Sequence, residues 1–344
     1  MTTETAPDHR RGFARDVVAR LRQSGYQALW AGGCVRDLLL GKNPDDYDVA
    51  TSARPEDVIR LFPRTVPVGA SFGVVIVRGP RAAGQVEVAT FRTDGLYEDG
   101  RRPQSVTFST PEEDASRRDF TINGMFYDPL EERIIDYVGG RHDLERKVVR
   151  AIGDPSTRFE EDKLRLLRAV RFTSRLSFSL DSGTRSAMIE MADKVSKVSA
   201  ERIAQELRKM LTHASRSRAV RLAEETGLLS VVLPPVPRMK GLDQSKPVLP
   251  GGDLWDHTML VLDNLPAEPE FPLAFAALLH DVGKPLTKGL KDGRVSFHNH
   301  EVVGRRITED LSRSLKLANS EKDRACWLVE HHQALGDAKS LRES

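Results

Sequence analysis

The pattern of apolar residues near the start of the chain changes from helical to extended within a short distance. Over residues 12–25 the apolar positions recur every three to four residues, which predicts a helix that Gly25 ends. A compact apolar run over residues 27–31 follows, and it predicts a strand leading into a pair of glycines. The chain therefore begins with a helix and a strand rather than with a purely helical region.

Between residues 65 and 93 the apolar pattern is typical of β structure. Three runs rich in valine, 66–68, 74–77 and 86–91, are separated by glycines and by a Gly-Pro turn signal. Within the last of these runs, apolar and polar residues alternate, as expected for a strand with one buried face. We therefore predict a small mixed sheet in the first part of the chain.

Strand patterns disappear after Asp154-Pro155, and long charged helical patterns take their place over residues 160–176, 182–195 and 200–213. A stretch rich in proline and glycine, 233–252, then predicts an exposed linker, beyond which helices return with many histidines. These changes predict a fold of the α+β class with three parts. Their predicted bounds are residues 1–153, 154–245 and 246–344.

Composition narrows the functional classes only slightly. The chain has 344 residues, and its 52 Lys and Arg against 50 Asp and Glu give a net charge of +2, so a polyanion would have to bind to local patches. The longest apolar stretch, 271–279, is far shorter than the roughly 20 residues of a membrane span, and the polar N-terminus lacks the apolar core of a signal peptide. Two cysteines exclude a disulfide framework. We expect a cytoplasmic protein with no membrane partner.

Asp46 and Asp48 are the first candidates for chemistry. If they lie in a strand, residues two apart point to the same side, and the two carboxylates converge while Tyr47 points away. Such a pair is normally kept where Mg²⁺ neutralises it and binds phosphate oxygens. An isolated pair of this kind is also common in a turn that merely caps a loop.

The residues before the aspartates favour the metal interpretation. Gly32-Gly33 precedes a short predicted helix over residues 35–40, and such a turn exposes backbone N–H groups to an anion. Arg36 adds a positive charge nearby. Together with the aspartates, these residues predict a site for a nucleoside triphosphate and Mg²⁺.

This motif resembles the first motif of the bacterial class II tRNA nucleotidyltransferases, the CCA-adding enzymes, and of the related bacterial poly(A) polymerases. Three further motifs of the family follow in order: Arg117-Arg118-Asp119-Phe120-Thr121-Ile122-Asn123-Gly124-Met125, then Gly153-Asp154-Pro155, then Glu161-Asp162-x-x-Arg165-x-x-Arg168-x-x-Arg171-Phe172. The resemblance implies a nucleotidyltransferase head followed by a helical neck and body.

The resemblance also implies a mechanism and a set of site residues. Asp46 and Asp48 would hold two Mg²⁺ ions, one activating the 3′ hydroxyl of the RNA and the other supporting the departing pyrophosphate. Glu87 matches the position of a third acidic residue, although it also fits an ordinary strand residue facing solvent. Nucleotide contacts are implied for the residues that match the first two motifs: Gly32, Gly33, Arg36, Arg117, Arg118, Asp119 and Asn123.

The second motif contains two adjacent arginines, Arg117 and Arg118. Adjacent arginines point in different directions, so we expect one of Arg117 and Arg118 to pair with an acid and the other to reach the triphosphate. The family pattern favours Arg118 for the nucleotide. An exposed turn held by salt bridges is the alternative for this segment.

The fourth motif places one acid and three arginines at intervals of three along a predicted helix: Asp162, Arg165, Arg168 and Arg171. Asp162 beside Arg165 offers an acceptor next to donors, which fits the amino edges of cytosine and adenine and opposes the carbonyl edges of uracil and guanine. Arg168 and Arg171 remain for phosphate, ribose or structural ion pairs. A solvated, salt-bridged helix face is the alternative.

Further segments bear on the choice of RNA and product. Residues 65–73 resemble the tRNA-directed members more than the poly(A) polymerases, and residues 94–103 resemble a flexible loop of enzymes that add the final A, with Gly95 and Gly100 suited to a hinge. A basic stretch is a candidate for the tRNA backbone, or equally an ordinary exposed helix surface: Arg208, Lys209, His213, Arg216, Arg218 and Arg221.

The C-terminal histidines resemble the HD phosphohydrolase superfamily. The matching segments are Asp256-His257-Thr258, Leu278-Leu279-His280-Asp281-Val282-Gly283-Lys284 and His298-Asn299-His300-Glu301. The resemblance implies a divalent metal, with a transition metal as a candidate, on His257, His280 and Asp281. Asp337 is a candidate for the closing ligand. A decayed domain that contacts tRNA or another subunit is the alternative.

The sequence thus predicts an enzyme that adds C, C and A, or the terminal A, to tRNA 3′ ends from CTP and ATP, with Mg²⁺ as cofactor. One alternative is a bacterial poly(A) polymerase. The other is a metal-dependent phosphohydrolase whose head has become an RNA-binding module. The oligomeric state is left open.

Overall fold

The computed structural model describes residues 9–69, 73–94, 106–243, 252–291 and 294–337. It divides into two compact units. Unit 1 contains the residues up to Asp162 together with Ser179–Thr184, and unit 2 contains Lys163–Phe178 and the residues from Arg185 onward. The predicted boundary near residue 153 lies within unit 1. Most of the predicted hinge loop at 94–103, including both of its glycines, lies outside the described residues.

Unit 1 contains most of the β structure. Its strands are β1 (Ala28–Ala31), β2 (Asp48–Thr51), β3 (Thr65–Gly69), β4 (Val74–Arg78), β5 (Gln85–Thr90), β6 (Arg92–Asp94), β7 (Val106–Phe108), β8 (Phe126–Asp128), β9 (Arg133–Ile135), β10 (Val148–Val149) and β11 (Ser179–Leu180). Seven of them form one sheet in the order β3-β4-β5-β2-β1-β8-β9. Within it β2 pairs with β5 in parallel, and the remaining pairs are antiparallel. The predicted small mixed sheet is confirmed.

Short helices surround this sheet. They are α1 (His9–Gln23), α2 (Gly33–Leu39), α3 (Pro55–Leu61), α4 (Pro111–Ser116), α5 (Gly140–Glu145) and α6 (Pro155–Glu161). The helix predicted from the first apolar pattern is confirmed as α1, which buries Val17, Val18 and Leu21 and packs against β1 and β2. The other sheet face carries a small core around Ala31 and Phe126. Burial of these apolar faces is what holds the sheet and its helices together.

Unit 2 is mainly helical. Helix α8 begins at Ser182, within the segment Ser179–Thr184 that belongs to unit 1, and continues into unit 2. The helices are α7 (Leu164–Leu176), α8 (Ser182–Glu190), α9 (Ala200–Leu211), α10 (Arg216–Glu225), α11 (Leu228–Val232), α12 (Leu254–Asp263), α13 (Phe271–Leu279), α14 (Lys284–Thr287), α15 (His300–Ser314) and α16 (Asn319–Asp337). A hairpin, β12 (Lys288–Lys291) and β13 (Arg294–Phe297), interrupts the region that was predicted to be entirely helical. None of the described helices is long and apolar enough to cross a membrane.

The continuous helix predicted over residues 160–176 is wrong. Helix α6 ends at Glu161, and α7 begins at Leu164. Asp162 lies between them in an extended conformation, with φ −138° and ψ 102°. Asp162 therefore does not share a helix face with Arg165, and the argument that the two are neighbours because of their spacing on one helix does not hold.

Candidate functional site

The predicted third carboxylate, Glu87, lies beside Asp48. The two residues are direct partners in the parallel pairing of β2 with β5. Partners in register project to the same face of a sheet, so both carboxylates point to one side, and both side chains are exposed there. The alternation of apolar and polar residues in β5 is what turns Glu87 away from the core while Val86 and Val88 are buried.

Asp46 does not lie in the secondary-structure element that was predicted for it. It was expected to lie in a strand with Asp48, but β2 begins at Asp48, and Asp46 lies in the preceding bend. Its side chain is exposed, and its charge is close enough to raise the pKa of Asp48. The convergence of the two aspartates therefore depends on the bend and not on strand alternation.

The pKa values of these carboxylates report crowding of negative charge. Asp48 keeps contact with solvent, yet surrounding protein desolvates it, and this partial burial raises its pKa to about 6. The charges of Glu87 and Asp46 add to the rise, whereas Arg118 opposes it. Burial also raises the pKa of Glu87. Crowded, partly desolvated carboxylates of this kind fit a hard divalent cation, which would relieve their repulsion.

A cleft of about 250 Å³ opens beside the carboxylates. Asp48 and Glu87 lie on its negative side, and Arg92, Arg117 and Arg118 also line it. Small residues of β1 and β2 form part of its wall. Acidic groups that suit a metal and guanidinium groups that suit phosphate thus line the same cavity.

The two adjacent arginines do not divide their roles as expected. Nη2 of Arg117 lies 2.7 Å from Asp114 Oδ1, and Nη2 of Arg118 lies 2.9 Å from Asp114 Oδ2. One buried carboxylate therefore holds both, and the expectation that only one would pair with an acid is wrong. Burial would raise the pKa of Asp114, but the charges of Arg118 and Arg117 outweigh it and lower this pKa. Each guanidinium has five N–H donors, so both keep donors for other groups.

Three of the predicted nucleotide-contacting residues, Arg36, Asp119 and Asn123, form a network together with Asp37. Arg36 is buried and donates to Asn123 Oδ1 at 2.6 Å and to Asp37 at 2.9 Å, and Asn123 in turn donates to Asp119 Oδ1 at 3.1 Å. Asp119 Oδ1 also accepts the backbone N–H of Phe120. These contacts indicate that Arg36, Asp119 and Asn123 hold the segment that leads into β8. None of the three is among the residues that line the cleft.

The glycine pair contributes close packing. Gly32 has a positive φ of 74°, and a Cβ placed on it would lie 3.0 Å from Nη1 of Arg118. A side chain at this position would therefore press on the arginine that lines the cleft. Gly33 begins α2, whose first turn also contains Arg36.

The arginines of the fourth predicted motif lie on α7 in unit 2. Arg165 and Arg171 are buried, and Arg168 is half-buried. Nε of Arg171 donates to Glu206 of α9, and its guanidinium lies over the ring of Phe172, 4.2 Å from the centroid. Asp162, in unit 1, is half-buried. The structure thus gives Arg171 an ion-pair partner in Glu206, which is one of the uses that the sequence left open for this arginine.

The basic stretch predicted to carry RNA is largely engaged in contacts within unit 2. Arg216 is almost fully buried and donates to backbone carbonyls, Arg218 donates to Phe178 O, and Arg208 pairs with Glu321. Lys209 lies 3.5 Å from Glu206, and Arg221 lies 3.7 Å from Asp256. For this stretch, structural use outweighs the prediction of an exposed RNA-binding surface.

A second cluster of ligating groups surrounds Asp281 in unit 2. His257 and His280 Nε2 lie 3.5 and 3.1 Å from Asp281 Oδ2. His300 and His332 Nε2 lie 3.2 and 3.5 Å from Asp281 Oδ1. The three predicted residues are therefore together, and the structure adds His300 and His332 to them. In the sequence, His300 lies two residues after His298, and His332 directly follows His331. The side chain of Asp337 lies outside the described residues.

The histidine rings are oriented for ligation. Nδ1 of His280, His300 and His332 lies 2.9, 2.8 and 2.7 Å from the carbonyls of Ala277, Phe297 and Val329, so each Nδ1–H can donate to its carbonyl while Nε2 is turned toward Asp281. This is the arrangement seen around metal-bound imidazoles.

The hydrogen bonding and the pKa values of the cluster also fit a divalent metal. Asp281 Oδ1 is buried and makes no well-formed hydrogen bond within the described part of the chain. Burial would raise the pKa of Asp281, but the neighbouring imidazoles of His280, His300 and His332 hold it well below its usual range, so the carboxylate is ionised. Burial and the charge of His280 lower the pKa of His257, which keeps that ring neutral and able to ligate. The donor set is the one that transition metals and zinc prefer.

Comparisons with known proteins place both sites in a family. A solved structure, the Bacillus stearothermophilus CCA-adding enzyme in complex with CTP, superposes with a TM-score of 0.73 and 32% identity, covering 97% of this chain and 72% of that chain. The chain belongs to the CCA-adding enzyme family. The head of unit 1 matches the poly A polymerase head domain over residues 28–150, which include Asp46, Asp48 and Glu87.

Other comparisons agree with this family. Residues 177–239 match the probable RNA and SrmB-binding site of polymerase A, and residues 255–343 match the HD domain. The CCA-adding enzyme of Geobacillus stearothermophilus is 47% identical over 216 residues, which are 62% of this chain and 53% of that protein. This chain thus spans about half the length of the curated CCA-adding enzymes it matches. A CCA-adding enzyme solved with ATP, 21% identical with a TM-score of 0.65 over 96% of this chain and 72% of that chain, shares the fold.

Proposed function

We propose that the chain is a nucleotidyltransferase that adds C, C and A to the 3′ ends of tRNA from CTP and ATP. The observation that supports this most directly is the in-register pair Asp48 and Glu87, which lines one cleft with Arg117 and Arg118. The relative with CTP bound and the curated CCA-adding enzymes supply the reaction and substrates by likeness.

The residues of the cleft, together with Asp46 in the bend before β2, divide the chemistry between them. Asp46, Asp48 and Glu87 are proposed to hold Mg²⁺, which when bound supplies Lewis acidity at the triphosphate and at the attacking hydroxyl. Arg117 and Arg118, held by Asp114, offer their remaining N–H groups to triphosphate oxygens. In the reaction, the 3′ oxygen of the RNA bonds to the α-phosphorus, and the bond to pyrophosphate breaks.

Selection of the base is proposed to involve Asp162. A carboxylate accepts a hydrogen bond from the exocyclic amine that cytosine and adenine share, and it opposes the carbonyl oxygen of uracil and guanine. Asp162 has an extended backbone between α6 and α7, and its side chain is half-buried. Roles in nucleotide binding for Arg165, Arg168 and Arg171 stay predictions.

The test uses three tRNA transcripts, ending before the first C, after the first C and after the second C. We expect labelled CTP to extend the first two and ATP to extend the third, each with release of pyrophosphate. Runs of A on transcripts of any ending would instead favour a poly(A) polymerase. Extension that stops after the second C would restrict the activity to CC addition.

The histidine cluster supports a second activity, a metal-dependent phosphohydrolase. The supporting observation is that four imidazole Nε2 atoms lie within 3.5 Å of the single carboxylate of Asp281. With the head disabled by Asp46→Ala, hydrolysis of a cyclic or generic phosphoester should persist with one of Mg²⁺, Mn²⁺, Ni²⁺ or Co²⁺, and His280→Ala should remove it. If none of these metals supports hydrolysis, the cluster is a scaffold.

A further inference from the structure

The two oxygens of Asp281 have different surroundings. Oδ1 faces His300 and His332, at 3.2 and 3.5 Å. Oδ2 faces His280 and His257, at 3.1 and 3.5 Å. Each oxygen with its two imidazoles makes a compact three-ligand set, so one carboxylate joins two half-sites. We call them the Oδ1 half-site and the Oδ2 half-site.

A fixed cation already lies on the Oδ2 half-site. Nζ of Lys284 is 2.7 Å from Asp281 Oδ2, and only 15% of the Lys284 side chain is exposed. The ammonium also lies 5.6 Å from the centre of the Phe297 ring. By contrast, Oδ1 has no well-formed hydrogen bond within the described residues, so the Oδ1 half-site keeps its oxygen lone pairs for a ligand.

The backbone around Lys284 holds this ammonium in position. Lys284 is three residues after Asp281, and its N–H donates to the Asp281 carbonyl at 3.0 Å. Gly283 packs so closely on α15 that a Cβ there would lie 2.1 Å from the carbonyl oxygen of His300. The short turn between Asp281 and α14 is therefore fixed against α15, and the lysine contact follows from that packing rather than from chance placement of an exposed side chain.

We propose that Lys284 makes the two half-sites unequal, so that a divalent metal fills the Oδ1 half-site first and enters the Oδ2 half-site only by displacing the lysine ammonium. The inference rests on the proposed metal binding of the cluster. A metal held by His257, His280 and Oδ2 must take the lone pair that the ammonium uses, and it must do so beside a positive charge in a poorly solvated place. The Oδ1 half-site bears neither cost.

The displaced lysine then has a defined use. Its ammonium, released from Oδ2 but tethered to α14, stays next to the filled cluster, where an anionic phosphoester bound to the metals would attract it. Occupancy of the second half-site is thus coupled to the position of Lys284. At limiting metal, the cluster holds one ion and the lysine stays on Asp281.

The experiment measures metal binding and not turnover. Metal-free full chain carrying Asp46→Ala, Asp48→Ala and Glu87→Gln, which removes the three proposed head ligands, is titrated with Mn²⁺ by calorimetry, and dinuclear Mn²⁺ is followed by its spin-coupled electron paramagnetic resonance signal. We expect one tight and one weak site. Lys284→Met should strengthen the weak site at least tenfold, equivalent to about 1.4 kcal/mol, and leave the tight site within about threefold.

Matched variants identify the half-sites and the charge effect. Lys284→Arg keeps the positive charge and should keep the weak site weak. Lys288→Met, which removes an exposed lysine of β12, the strand that follows α14, should change neither constant. His332→Ala should remove the tight site, and His257→Ala the weak one. Circular dichroism and the melting temperature report whether each variant is folded.

The outcomes separate the two proposals. Two sites that stay unequal by the same factor in Lys284→Met would overturn the role of Lys284 while leaving the metal cluster intact. Loss of the weak site in Lys284→Met would also overturn it, since the lysine would then assist binding. Absence of Mn²⁺ binding in every variant would overturn the metal cluster itself.

Discussion

Glu206 of α9 accepts a hydrogen bond from Nε of Arg171 of α7 at 2.5 Å, and both side chains are buried. Lys209 approaches the other carboxylate oxygen at 3.5 Å. Arg171 was predicted to contact nucleotide, phosphate, ribose or an ion-pair partner. Its buried partner shows that it joins two helices of unit 2, whatever else it contacts.

The first prediction follows from this pair. Glu206→Gln keeps a hydrogen-bond acceptor but leaves the Arg171 charge without its partner in a buried place, so the free energy of unfolding should fall by about 1–3 kcal/mol. The exposed Glu201, which pairs with Lys316 on the surface, provides the control, and Glu201→Gln should cost less than about 1 kcal/mol. Urea denaturation measures both. Equal losses in the two variants would contradict a structural role for the buried pair.

The second prediction concerns the carboxylates of the head. Asp48→Ala and Glu87→Gln should each lower the rate of CMP incorporation more than tenfold, or about 1.4 kcal/mol in barrier, and leave tRNA binding within a few-fold, because these residues are proposed to hold metal and not RNA. Gln85→Ala, an exposed residue of the same strand, is the matched control. Single-turnover incorporation and filter binding measure the two properties. A Glu87→Gln enzyme that retains more than a tenth of the rate would remove Glu87 from the metal site.

The third prediction uses the raised pKa of Asp48, about 6 against a usual value near 3.8. Because the folded pKa is the higher one, the folded protein binds more protons than the unfolded chain between these values, and Asp48 lowers stability progressively as the pH rises from about 4 to about 6. Without divalent metal, the melting temperature of Asp48→Asn should therefore gain on the wild type over this range. Mg²⁺ should reduce the difference by neutralising the carboxylates. A constant difference across this range would show that Asp48 titrates normally.

The three carboxylates of the head show which features of the site could be predicted from the sequence and which could not. Glu87 was predicted to face outward because apolar and polar residues alternate around it, and the structure agrees. Its register with Asp48 comes from the parallel pairing of two strands that are distant in sequence, which no local pattern encodes. The position of Asp46 was misjudged because the strand begins two residues later than the alternation suggested.

Other errors arose where two local signals look alike. The break at Asp162 lies within a run of charged residues that continues from α6 into α7, and neither proline nor glycine marks it. In the second unit, His300 and His332 could not be told from His298 and His331 by sequence. Helical phase decides between the last two: His332 turns Nε2 toward Asp281, whereas His331 stacks on the exposed Trp327.

The fourth prediction concerns Arg216, a residue assigned to RNA from its charge. Its guanidinium is buried and donates to the carbonyls of Leu211, Leu262, Pro266 and Ala267, at 2.7 to 3.0 Å. Arg216→Ala leaves several buried carbonyls without donors, so it should lower the free energy of unfolding by about 3 kcal/mol or more. Arg221→Ala, which removes a half-exposed arginine of the same helix, should cost less than about 1 kcal/mol. Chemical denaturation of both variants measures the difference, and a stable Arg216→Ala protein with weakened tRNA binding would return Arg216 to the RNA surface.

The last prediction tests base selection by Asp162. Asp162→Ala removes the acceptor for the exocyclic amine, so CTP and ATP should both bind more weakly while discrimination against UTP and GTP relaxes. A hydrogen bond lost in such a site is worth about 1–3 kcal/mol, which corresponds to a drop in selectivity of roughly tenfold to a hundredfold. Glu160→Ala, an exposed acid in the preceding helix, is the control and should leave selectivity unchanged. The measurement is kcat/KM for the four triphosphates on tRNA that lacks only the terminal A. Slowing of all four by the same factor would assign Asp162 to phosphate, ribose or structure, and an unchanged preference for C and A would exclude it from reading the base.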